Sequence, residues 1–189
     1  MTDETWNSLL RSQLTWHWTN QLRDRLDGLT DDEYFWEPAP DCWNVRPRGT
    51  GTAPIQAGAG TMTIDFAIPQ SDPAPITTIA WRLGHVIVGV LAMRSASHFG
   101  RTPTDYDSFS YAETAAEALA QLDAEYATWL AGVESLGESG LTRPCGEAEG
   151  QYAALPMATL VLHIHRELIH HLAEVCLLRD LHLWTKEKR

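Results

Sequence analysis

His163, Glu167 and His171 recur at every fourth position of the segment HIHRELIHHLAEVCLLR, residues 163–179. On an α-helix, side chains four apart stack on one face. Imidazole and carboxylate donors one turn apart can then converge on a single cation, as paired histidines do in zinc helices. A second apolar segment, Ile76–Gly100, carries His85 among Leu83, Val86, Ile87 and Val90. Two helices that each turn such donors inward would make a metal site in the core of a helical bundle.

With His163 at zero and about 100° per residue, Glu167 falls near 40°, Glu174 near 20° and His171 near 80°; Ile164, Leu168, Val175 and Leu172 fill the arc from about 100° to 180°. Glu167 and His171 therefore border the face that should enter the core. A carboxylate there costs several kcal/mol unless it is paired or bound to a cation. The same spacing also suits a solvated His/Glu face with His170, His171 and Glu174 in water, and a lone histidine on an apolar helix also suits a hydrogen-bonded core residue. The two features together are rarer than either alone and shift the reading toward a metal.

Four helices are needed to position these groups: about Asp3–Asp27, Ile76–Phe99, Tyr111–Leu136 and Pro156–Leu183. The first repeats apolar residues at helical spacing and ends at Gly28, with Thr30 and Glu33 as a capping box for one short extra turn. The second follows Pro75 and stops at Gly100. The third is rich in Ala, Leu and Glu, and the fourth opens on Pro156. Between the first two lies a connection of residues 37–75 with seven of the ten prolines. Within it Thr61–Ile68 alternates like a strand. An irregular stretch of this length is uncommon in a compact domain and often functional, so it is expected to fold as a lid over one end of the bundle.

At 189 residues the chain is expected to form a single domain spanning 1–189. The net charge of -11 argues against nucleic acid and against an anionic membrane surface. Three widely spaced cysteines, Cys42, Cys145 and Cys176, suit reduced thiols and a cytoplasmic location, and no signal-peptide pattern opens the chain. Eight tryptophans are many for one small domain; Trp16, Trp18 and Trp129 are candidate exposed anchors for a homodimer.

TTIAWRLGHV (77–86) and HIHRELIHHLAEVCLLRDL (163–181) resemble the DinB-like superfamily. They are more narrowly similar to its actinobacterial branch, which includes mycothiol-dependent maleylpyruvate isomerase and mycothiol S-transferases. CWNVRPR (42–48) and DYDSFSYAET (105–114) extend the likeness over nearly the whole chain. The resemblance implies an all-α, DinB-like four-helix bundle in up-down-down-up order. It also implies a divalent metal held by His85, Glu167 and His171, with His163 and His170 outside that triad. Many DinB-like proteins carry a third histidine where this chain has Glu167; the His/Glu/His set is similar to the mycothiol-dependent isomerase pattern.

Two imidazoles and one carboxylate suit zinc with an open coordination position, and nickel or iron accept the same set. A thiol entering that position would be deprotonated. Cys176 lies about 180° from Glu167 on the wheel, and none of the three cysteines takes a ligand position. An external thiol, mycothiol by the resemblance, is the expected sulfur source. The expected activity is thiol transfer to a small electrophile, or isomerisation of one. The alternatives are a non-catalytic metal- or ligand-binding protein and a metal-dependent hydrolase that activates water. Trp43, Arg46 and Arg48 could help bind a polar ligand but suit a structural loop better; Asp105, Tyr106 and Asp107 are candidates for the mouth of the site.

Overall fold

The computed structural model describes residues 4–69 and 71–187. Four long helical segments form the bundle. The first is α1 (Trp6–His17), continued by a π turn (Trp18–Leu22) and a 3-10 turn (Arg23–Leu26). Thr5 caps α1 by accepting from the Ser8 amide, and the expected start at Asp3 lies outside the described residues. A short helix α2 (Asp31–Tyr34) follows, with the expected Thr30/Glu33 capping box. The second segment runs through α3 (Ile79–His85), a π turn (Val86–Ala92) and α4 (Met93–Phe99). Gly100, at φ 65°, ends it in the left-handed conformation that lacks a Cβ penalty. The third is α5 (Ala115–Leu141) and the fourth α6 (Met157–Glu187).

Side-chain contacts fix the directions. Asn7 at the start of α1 donates to the Val133 carbonyl at 2.7 Å, and Arg23 at its far end meets Asp123 at 2.9 Å, so the first and third segments are antiparallel. Arg25 meets Asp180 at 2.7 Å, which makes the first and fourth parallel. Arg82 of α3 meets Glu174 at 3.0 Å, while His98 of α4 meets Glu149, ahead of α6, at 2.8 Å; the second and fourth are antiparallel. The bundle is thus up-down-down-up. Its core is one cluster in which Leu83, Leu91, Leu122, Trp129, Ile164 and Leu168 are fully buried. Ile79–Phe99 is long and apolar enough to cross a membrane, but two-thirds of it is buried against the other helices, as a core helix would be.

The long connection contains a three-stranded antiparallel sheet, ordered β1 (Val45–Pro47), β3 (Met62–Phe66), β2 (Ile55–Ala57), with Val45 opposite Ile64 and Ile55 opposite Phe66. β3 is the expected strand. The sheet lies on α3, where the Trp81 indole donates to the Asp65 carbonyl at 2.8 Å and Trp43 packs against Phe66 and Trp81. Arg46 pairs with Asp65 at 2.9 Å and Glu37 at 2.7 Å, and Arg48 donates to the carbonyls of Gly58 and Gly60. These residues brace the lid itself, as the structural reading of the loop expects.

Of the three tryptophans considered as anchors, only Trp16 is exposed. Trp18 stacks on Tyr126 and Trp129 is wholly enclosed, because both fall on the inward faces of their helices.

Candidate metal centre

α3 and α6 pack so that the His85 ring lies against His171, which stands one helical turn from Glu167. His171 Nε2 lies 3.4 Å from a Glu167 carboxylate oxygen, one helical turn away. The His85 and His171 rings stand nearly perpendicular with centroids 4.8 Å apart. Both imidazoles are mostly enclosed and Glu167 is partly exposed, so one side opens to solvent.

Each histidine is held through its Nδ1. His171 Nδ1 lies 2.9 Å from Glu174 Oε2, and since a carboxylate only accepts, Nδ1 carries the proton. Glu174 is itself fixed by Arg82 at 3.0 Å. His85 Nδ1 lies 2.7 Å from the Tyr106 hydroxyl. Where the Tyr106 hydroxyl accepts from His85 Nδ1, the Nε2 lone pairs of the two rings are left for a cation, the arrangement in which an outer partner orients a ligating imidazole. Tyr106 reaches His85 only because residue 89 is glycine: a Cβ there would sit 2.0 Å from the Tyr106 hydroxyl oxygen. Gly89 lies in the π turn that follows His85, and such widened turns recur at functional sites. Trp81 stacks on the other side of the His85 ring at 5.4 Å.

The electrostatics agree with a ligand set. Burial, followed by the neighbouring His171 and Arg82, pushes His85 down to about 4, so it is neutral near pH 7. Burial pulls the Glu167 carboxyl upward, but the Arg166 hydrogen bond and the charges of His163 and His171 outweigh it and hold the group below its ordinary value. A neutral His85 imidazole and an ionised Glu167 carboxylate are the forms a divalent cation requires of these two groups.

A second group on α6, His170, His171 and Glu174, has donor atoms within 4.8 Å of one another and could also hold a metal. It shares His171 with the first. However, Glu174 already carries the Arg82 guanidinium and the His171 Nδ1 proton, and His170 is exposed. A cation there must displace both; one at His85, Glu167 and His171 would instead compete with Arg166 and His163 for the Glu167 carboxylate.

His163 and Arg166 flank Glu167, at 3.4 and 3.2 Å, and also line a cavity of about 550 Å³ with Arg94, Cys145, Leu155 and Leu160. Another hollow of about 590 Å³, beside His98, Thr128, Gly132 and Arg143, lies at the other end of the second helix, away from these donors. Cys42, Cys145 and Cys176 are all free and buried, and burial raises each thiol. None is poised as a nucleophile. Of the three loop residues considered for the mouth, Tyr106 enters the site, while Asp105 stays outside as an exposed turn cap that accepts from the Asp107 and Ser108 amides.

Sequence reasoning missed the roles of Glu174 and Arg82. The i,i+3 step from His171 to Glu174 was a visible signal. Arg82 carried none, since its partner lies on another helix. Among known protein families, a profile described as the DinB superfamily matches residues 13–175. No curated protein and no solved structure matches the chain.

Proposed function

This chain belongs to the DinB superfamily, and we propose from that premise that it is a metal-dependent enzyme transferring a low-molecular-weight thiol of the mycothiol type to a small electrophile, or isomerising one with that thiol's help. The observation that supports the reading is the pair of Nδ1-anchored imidazoles, His85 and His171, in ring contact with each other and with Glu167 one turn from His171. These three residues would hold the ion, zinc by preference, with nickel or iron as chemically acceptable substitutes. A divalent ion with an open position makes a thiol that enters it acidic.

The chain's own groups supply the rest. Glu174 and Arg82 lock the His171 ring, and Tyr106 and Trp81 lock that of His85. The lid sheet packs on α3 through Trp81, whose ring stacks on His85. Arg166 and His163 set polar groups between Glu167 and the neighbouring cavity, whose volume suits a small-molecule ligand. With the chain's cysteines buried, the sulfur must come from outside. We place the protein in the cytoplasm, where such thiols are kept reduced.

The test is metal analysis of the purified protein, then turnover of zinc-loaded protein with mycothiol and two electrophiles, maleylpyruvate and a chromogenic aryl halide. The proposal expects turnover that needs both metal and thiol. Thiol-independent hydrolysis would instead make it a hydrolase, and metal uptake without turnover of either electrophile would make it a binding protein.

A further inference from the structure

α6 is apolar on two opposite faces. Ile164, Leu168 and Val175 point into the bundle and are buried. With Ala173 at zero, Leu162, Ile169, Leu177 and Trp184 fall within about 40° of it, and the buried set lies at about 140° to 180°. Leu162 is 56% exposed, Leu177 58% and Ile169 37%, and Ala173 is exposed between them. A surface helix normally carries one apolar stripe, toward its core; apolar residues all round mark a helix covered on both sides. The outer stripe runs from Leu162 to Trp184, about 33 Å at 1.5 Å per residue.

The stripe is complementary to itself. When two copies of α6 lie antiparallel about a two-fold axis at Ala173, Ile169 faces Leu177 of the second copy and Leu162 faces its Trp184. Arg166 faces Asp180 of the second copy, so that two opposite charges lie across from each other at either end while each also has a partner in its own chain, Glu167 and Arg25; the side chains are 70% and 53% exposed. The smallest residue of the stripe sits at the crossing, where helix axes must approach to about 8–10 Å. An unrelated partner would have no reason to match this palindrome, whereas a two-fold interface requires one. Glu167 and His171 lie about 120° and 160° from the stripe's centre, so the pairing leaves the metal centre open.

We propose that this outer face of α6 is the interface of an isologous homodimer, with two α6 helices packed antiparallel about Ala173. The inference does not depend on the metal or the reaction. The test is analytical ultracentrifugation of the full chain at micromolar concentration, with three single variants. The wild type sediments as a dimer. Leu177→Glu, an exposed change that leaves the core intact, raises the dissociation constant by about 100-fold, since each dimer loses two central contacts. Under mild oxidation Ala173→Cys cross-links to itself, because its two copies meet at the axis. Leu162→Cys does not, because its copies lie about 33 Å apart. A monomeric wild type, including one that binds phosphatidylcholine vesicles instead, overturns the proposal. So does a dimer indifferent to Leu177→Glu, or equal cross-linking of the two cysteine variants.

Discussion

Glu167→Gln and Glu174→Gln separate the two metal groups that share His171. If the ion sits among His85, Glu167 and His171, Glu167→Gln removes its only anionic ligand, while Glu174→Gln weakens the partner that orients His171. Loss of an orienting partner typically lowers metal affinity about 10–100-fold, and loss of a ligand costs more. The effect on the fold is small: Glu167 is partly exposed and its Arg166 partner mostly so, an ion pair worth under about 1 kcal/mol. The change can therefore be read as a stability shift. At a zinc concentration 100 times the wild-type dissociation constant, binding adds about 2.7 kcal/mol. A variant weakened 100-fold retains only about 0.4 kcal/mol at that concentration. For a domain of this size the difference of about 2 kcal/mol lowers the zinc-bound melting temperature by roughly 5–9 °C, with the metal-free value nearly unchanged. Zinc titration by calorimetry beside thermal melts measures both. The expected order of loss is Glu167→Gln and His85→Ala first, Glu174→Gln next, and His170→Ala least. If Glu174→Gln and His170→Ala abolish binding while Glu167→Gln and His85→Ala retain it, the ion belongs to the exposed group on α6 and the inward site is wrong.

Tyr106→Phe leaves His85 Nδ1 without its partner and should weaken zinc binding about 10–100-fold by calorimetry; unchanged affinity would show that packing against Trp81 alone sets the ring. Gly89→Ala should have at least that effect, because its methyl group would collide with the Tyr106 hydroxyl, which must move. Burial pushes His165 down to about 4, so between that value and its unfolded pKa near 6.5 the unfolded chain binds more protons than the folded one. Metal-free protein should therefore lose stability as pH falls from about 6.5 toward about 4, by up to about 3 kcal/mol from this group. Chemical denaturation across that range should show a shallower loss in His165→Leu, and parallel profiles would refute the assignment.

What could be read ahead of the structure follows the reach of local signals. The four bundle segments were legible because each carries a long periodic pattern with a stop: Gly100 ends the second, and the capping box at Thr30 and Glu33 opens the short turn after the first. The third helix begins at Ala115, four residues past its expected start, because Thr114 caps it while Tyr111 is held before it, donating to the Tyr106 carbonyl. β1 and β2 were invisible because three residues are too few to show alternation; β3, at five, was not. The ligand candidates on α6 were legible from i,i+4 spacing, but joining them to His85 needed the family likeness, since no local pattern says which helices touch. The same limit hid Arg82 and the use of Gly89, whose meaning lies in a tyrosine seventeen positions away. It also explains the tryptophans. Counting them suggested exposed anchors, yet Trp18 and Trp129 are core, and a continuous run of exposed apolar residues lies on α6, where leucines and isoleucine repeat on the wheel position opposite the core. That second period was present in the sequence. It was masked because the inward and outward apolar sets interleave along one helix, and only burial tells them apart.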